Sequence, residues 1–254
     1  MSQVLPGTLY LVPTPLDHGL EPEPLERVLP RQTLEKAAGL GYWVAENAKT
    51  LRAFLKRVDG HMPLSQPMQA MQISELPRAV HKQGDHGGGF DARPLLAPAL
   101  QGHDIGLASE AGMPAVADPG SSVVRAAHEL GLRVMPLVGP VSLLLALAAS
   151  GLNGQNFAFV GYLPQDSSAR LARLRQLEQW AQQTGQTQIW IETPYRNTAM
   201  FGAALQGLQA KTRLCVASGL TLATQSVRCM TVAQWRQMGT SPSAQTPAVF
   251  ALGV

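Results

Sequence analysis

The chain has 254 residues, 45% hydrophobic and 15% charged, with a net charge of +3. That is enough for one large buried core or two small ones. No apolar run reaches the roughly 20 residues that a membrane span needs, two cysteines (Cys215 and Cys229) cannot alone hold a metal cluster, and the mild positive charge permits a nucleic-acid partner without requiring one.

Strand-like and helix-like runs alternate along the chain. The start, "MSQVLPGTLYLV", lacks the basic opening of a secretory signal, so a cytoplasmic protein with reduced thiols is expected. "TLYLV" reads as a strand, and "PLERVLPRQTLEKAAGLG" as helical segments interrupted by Pro30. "YWVAEN" is a second strand, and "AKTLRAFLKRV" a helix. Residues 60–90 break the rhythm with Pro, Met, Gln and a Gly87-Gly88-Gly89 run, and read either as a mobile loop bordering a cleft or as a surface insertion. His81, Asp85 and His86 lie close together there, but no further ligand stands at useful spacing, so no metal site is assigned. "DIGLAS" is a strand, "SSVVRAAHELG" a helix closed by Gly131, and "RVMPLV" a strand. Continuous apolar strands between helices predict a parallel sheet covered on both faces.

A second series follows. "FAFVGYL" is a strand, and "SARLARLRQLEQWAQQTG" a helix whose Leu171, Leu174, Leu177 and Trp180 are read as one apolar stripe. Its arginines, Arg170, Arg173 and Arg175, fit a solvated face, because no aromatics are interleaved for base stacking. "TQIWIE" is a strand and "PYRNTAMFGAALQGLQA" a helix; "TRLCVASGL", "SVRCMTV" and "TPAVFALGV" are strands, with a short helix, "VAQWRQM", between the last two. Adjacent short strands near the end predict a mixed sheet. The expected organisation is two α/β domains, 1–117 and 118–254.

Ligands of α/β sheets gather at the carboxyl ends of strands. Here those ends read "PTPLDHG", "ENAKT", "SEAGMPAVADPG", "VGPVS" and "ETPYR". Small residues let the main chain approach a ligand, and prolines hold the loops open. No phosphate-binding loop, dinucleotide glycine fingerprint or nucleophile elbow is present, which disfavours an NTPase, a nicotinamide oxidoreductase and a serine hydrolase.

Taken in order, "GTLYLVPTPL", "SEAGMPAVADPG", "PLVGPVSLLLALAASGL", "FVGYLP" and "IETPYRN" resemble the tetrapyrrole methylase superfamily of S-adenosylmethionine-dependent methyltransferases. Within it, the blocks are most similar to the branch that methylates a ribose hydroxyl of small-subunit ribosomal RNA. The resemblance implies two α/β domains with a cofactor trough between them, a homodimer, and S-adenosyl-L-methionine as cofactor without a metal. It places the cofactor against Pro13, Thr14, Ser109, Gly112, Met113, Val116, Gly139, Ser142, Ile191, Glu192, Thr193, Pro194, Ala217 and Pro247.

Four departures bear on the acceptor. The branch usually reads T-P-I-G-N after the first strand, where this chain has Asp17 and His18. It reads E-D-T-R after the second, where this chain keeps Glu46 but has Asn47 and Ala48. It reads S-D-A-G-T-P where Glu110 and Met113 stand, and R-E-L-T-K where "SGLTL" stands. Charges on the substrate side are thinned, so a smaller or less charged acceptor, such as a small heterocycle, is expected in place of the ribosomal RNA ribose, with the RNA ribose the leading alternative and a cofactor-binding homologue without catalysis the further one. A hydroxyl acceptor needs a proton acceptor; Glu110 and Glu46 are the candidate catalytic carboxylates, with Glu192 a third strand-end glutamate.

Overall fold

The computed structural model describes residues 5–18, 20, 22–83 and 85–254, without the side chains of residues 81–83. His81's side chain, Gly84 and the first four residues, on which parts of the sequence reading fall, lie outside the described residues. Two compact units result, Met1–Val141 and Ser142–Val254.

In chain order the first unit carries β1 (Thr8–Leu11), α1 (Arg31–Gly39), β2 (Tyr42–Ala45), α2 (Ala48–Asp59), β3 (Gln72–Glu75), α3 (Arg78–Gln83), α4 (Ala97–Leu100), β4 (Ile105–Ala108), α5 (Ser121–Glu129) and β5 (Arg133–Pro136). Its sheet has the order β3-β2-β4-β1-β5, with every pairing parallel. Alternation along the strands fills two cores. Tyr10, Val12, Trp43 and Ala45 pack with Leu34, Leu51 and Leu55 of α1 and α2 on one face. Leu9, Val44, Ile105 and Leu107 pack with Leu96, Val123 and Ala127 on the other. Each fully buried large side chain of these cores contributes about 1.5–3 kcal/mol relative to exposure.

The second unit carries α6 (Ser142–Ser150), β6 (Phe157–Phe159), α7 (Ser167–Thr184), β7 (Thr187–Glu192), α8 (Asn197–Gly207), β8 (Arg213–Ser218), β9 (Ser226–Thr231), α9 (Val232–Met238) and β10 (Ala248–Gly253). Its sheet order is β6-β7-β10-β8-β9, parallel at β6–β7 and antiparallel elsewhere, the mixed sheet expected. Trp190, Leu214, Phe250 and Leu252 pack under Leu174, Leu177, Phe201 and Trp235 of the three later helices.

Three readings are corrected. The boundary expected after residue 117 falls inside the first unit: α5 and β5 follow it, and β5 lies along β1 from Thr8↔Arg133 to Leu11↔Pro136. Residues 60–90 are not all loop, since "QISE" forms β3 beside β2. Only Ile73 of its four residues is apolar, so the strand carries no hydrophobic run to betray it. The α7 stripe breaks at Trp180, which is 39% exposed and stacks with the Arg173 guanidinium. A spacing of three lags the 3.6-residue turn, so Trp180 lands opposite Leu171. The buried face is Leu174, Leu177, Glu178 and Ala181.

Candidate active site

The order of the first sheet creates a crevice. From β1 the chain moves to β2 on one side; from β4 it moves to β5 on the other, and β1 and β4 are neighbours. Loops leaving adjacent strands in opposite directions open a crevice at their carboxyl ends, the usual ligand position of such sheets. The loops here are residues 12–18 and 109–120.

These loops are fastened to each other. The Thr14 amide donates to the Gly112 carbonyl and the Gly112 amide to the Thr14 carbonyl, both at 3.0 Å, forming an isolated antiparallel bridge. The Thr14 hydroxyl donates to the Ser109 carbonyl at 3.3 Å. Gly112 has φ +79°, and a Cβ there would come within 3.1 Å of Leu16. The loop after β5 closes on the same point: a Cβ on Gly139 would stand 2.3 Å from the Pro13 ring, a separation that nothing in a rigid proline can relieve. Pro13, Thr14, Ser109, Gly112, Met113, Val116 and Gly139, drawn from three separate strand ends, thus belong to one neighbourhood.

The 109–120 loop holds backbone strain. Ala115 and Ala117 both have positive φ, at 63° and 66°. Each costs about 1–2 kcal/mol for an L-residue and persists only where the surroundings fix it. Asp85 supplies part of that fixing. Its buried carboxylate accepts from the Gly120 and Ser122 amides, both at 2.9 Å, and from the Ser121 and Ser122 hydroxyls, both at 2.6 Å. These bonds outweigh the cost of burial and hold its pKa down at about 2. Arg125 of α5 answers by donating to the Asp85 and His86 carbonyls. The acidic residue of the glycine-rich segment is therefore the cap of the helix that follows the loop. Among the described residues, no group of three or more His, Cys, Asp or Glu could hold a metal ion.

Three carboxylates meet at the ends of β2 and β4. Glu46 Oε2 accepts from the Glu110 amide at 3.0 Å, while the Glu110 side chain is exposed. Glu46 does not start its helix: Asn47 and Glu75 accept the first amides of α2. Asp118 is the third member. Burial, then the charge of Glu46, push its pKa up to about 7, with Glu110 adding to the rise and the nearby Ser109 hydroxyl opposing it. A carboxyl that titrates near neutrality at a strand-end crevice can take up or release a proton under ordinary conditions. On the opposite loop, Asp17 pairs with Arg57 of α2 at 2.5 Å, so that departure from the family pattern serves to anchor the loop.

No family model matches the chain. Over 241 residues, 94% of this chain and 75% of the relative, it is 30% identical to Ribosomal RNA small subunit methyltransferase I of Pseudomonas aeruginosa. The chain belongs to this methyltransferase family. Among solved structures, the methyltransferase CobJ matches with a TM-score of 0.56 and 16% identity, over 97% of this chain and 94% of that one. Uroporphyrin-III-C-methyltransferase from Thermus thermophilus matches with a TM-score of 0.51 and 17% identity, over 97% and 92%. The fold is thus that of these two methyltransferases, as the resemblance of the sequence blocks implies, and the Pseudomonas relative makes the chain a methyltransferase.

In this methyltransferase, the remaining predicted residues lie in the second unit. Ser142 opens α6. The others converge on one end of the second sheet: Val249 of β10 pairs with Ile191 on one side and Ala217 on the other, and Ala248 pairs with Glu192 and Ser218. Pro247 directly precedes that row, and Thr193 and Pro194 directly follow it. Glu192 is buried, 2.8 Å from the Arg196 guanidinium, and accepts from the Thr193 amide at 3.1 Å. Burial pushes its carboxyl up, and the amide and the arginine oppose that. A glutamate so engaged organises its own loop. Asp118 is the carboxylate that sequence reasoning missed; its signal lay in the "ADPG" end of the loop, where an acid stands among residues too small to screen it.

Proposed function

We propose that this chain binds S-adenosyl-L-methionine at the strand-end crevice of its first unit and transfers the methyl group to a ribose hydroxyl of small-subunit ribosomal RNA. The observation that carries the reading is Asp118, a proton acceptor poised at about 7 in that crevice; a hydroxyl is a poor nucleophile and requires such a group. The name of the relative supports RNA as acceptor. The crevice suits the cofactor because Gly112, Ala115 and Ala117 all hold positive φ, the kind of backbone strain that clusters at ligand clamps.

When bound, the cofactor supplies an electrophilic methyl on a sulfonium. The chain does the rest. Thr14 and Gly112 hold the two loops at fixed spacing, which sets the distance an in-line displacement needs. Glu46 fixes the Glu110 amide and keeps a negative charge beside Asp118. Asp118 takes the hydroxyl proton as the oxygen attacks.

A second reading, a small acceptor without phosphates, is favoured by the same three carboxylates, which repel a polyanion. The deciding experiment uses labelled cofactor with small ribosomal subunits from a strain lacking the ribose methylase. Stoichiometric labelling of one ribose supports RNA. Cofactor binding without labelled subunits turns the assignment to the small acceptor.

A further inference from the structure

The two cysteines of the chain face each other. Cys215 of β8 and Cys229 of β9 are direct partners in the antiparallel ladder. The Val232 amide donates to the Thr212 carbonyl at 2.9 Å, which marks that register position as a hydrogen-bonded pair. Such pairs alternate, so three positions along, Cys215 and Cys229 form a non-hydrogen-bonded pair, with Cα atoms about 4.5 Å apart and side chains on one face. Disulfides bridge Cα separations from about 4.4 Å upward. The two thiols are close enough for each to shift the other's titration.

Their surroundings differ in a useful way. Cys215 is buried, and its thiol is pushed up by the neighbouring Cys229 and by burial. Cys229 is half-buried on β9, the outermost strand. The neighbouring Cys215, and then Arg213 two residues earlier on the same face of β8, hold its thiol below the ordinary range. The half-buried sulfur is thus held toward its thiolate form and within reach of solvent, and the other is a protected thiol facing it across the strands.

We propose that Cys215 and Cys229 are a redox modification site, which low-molecular-weight disulfides oxidise to a cross-strand disulfide. The Cys229 thiolate attacks one sulfur of the small disulfide; that S–S bond breaks, and one thiolate leaves and takes a proton. Cys215 then gives up its proton and attacks the Cys229 sulfur, expelling the second small thiol. Two protein S–H groups and one small disulfide become one protein disulfide and two small thiols, so two electrons pass from the protein to the oxidant. The product closes the β8–β9 hairpin at mid-length. The site stands whether or not the acceptor assigned above is correct.

The test incubates the full chain, unmodified, with oxidised glutathione at neutral pH and reads thiol titre and intact mass. Wild type loses both thiol equivalents and two hydrogen masses, carries no glutathione, and recovers both thiols with dithiothreitol. Cys215→Ser traps one glutathione on Cys229; Cys229→Ser stays unmodified. A persistent glutathione adduct on wild type, a disulfide between chains, or two thiols surviving prolonged treatment would each overturn the proposal. The wild-type mass alone decides the matter should either variant fail to fold.

Discussion

Replacing Asp85 with asparagine removes a charge from the cap of α5. The asparagine amide turns a donor toward groups that already donate, the Gly120 and Ser122 amides and the two serine hydroxyls. The carboxyl stands at about 2 rather than its ordinary 3.8. At 1.36 kcal/mol per pH unit that preference for the charged form is worth about 2.4 kcal/mol; screening at the loop surface trims it to about 2 kcal/mol. The sign follows from the direction. A depressed carboxyl contributes stability above its unfolded pKa and loses it as pH falls through its folded one. Urea denaturation of wild type and Asp85→Asn is therefore expected to differ by about 2 kcal/mol at pH 7, with the gap closing between pH 4 and pH 2. A gap under 0.5 kcal/mol, small beside the ~1 kcal/mol typical of a lost helix cap, or a gap unchanged down to pH 2.5, would refute the view that this carboxylate holds the loop.

Three further outcomes follow. Gly112→Val puts a β-branched residue at φ +79°, so the variant is expected to fold with lowered stability and to lose S-adenosylmethionine binding by calorimetry; undiminished binding would place the cofactor elsewhere. Asp118→Asn mimics the protonated form: wild type loses stability as pH rises from 3.8 through about 7, so the variant should match it at pH 4 and exceed it by about 2 kcal/mol at pH 8, discounting for partial exposure, while methyl transfer falls by about 10²–10⁴. Sedimentation equilibrium at micromolar concentration is expected to give twice 27.1 kDa, and a monomer would remove the homodimer.

Much of this was legible in the sequence because it rests on local pattern. Continuous apolar runs such as "IGLA" gave away buried parallel strands, and Gly185, at φ +66°, ends α7 where the glycine stands. The strand-end loops could be picked out by their small residues. What could not be read was whatever depends on a distant partner. Asp118 draws its significance from Glu46, which arrives on another strand. Asp85 looked like a stray metal ligand until α5 was placed against it. The unit boundary lies past β5 because that strand pairs with the first strand of the chain, a choice the intervening residues do not record.

The acceptor turns on how the three carboxylates share charge. Below about pH 7 Asp118 is protonated and adds no charge to the cluster it forms with Glu46 and Glu110; above it a further negative charge appears there. For an RNA acceptor the same deprotonation has two opposed effects. It creates the base that draws the hydroxyl proton, so kcat rises with pH. It also adds a repulsion toward phosphates of about 0.5–1 kcal/mol at separations near the screening length, so KM rises by a factor of about 2–5 over the same interval. An uncharged small acceptor feels the first effect alone. Steady-state methyl transfer measured from pH 6 to pH 8.5 is expected, with small ribosomal subunits, to show kcat and KM climbing together through pH 7, and the KM change shrinking as salt is raised. A KM flat across that range while kcat climbs would mean that no phosphate approaches Asp118, and would count against the RNA acceptor even if some label reached the ribosome.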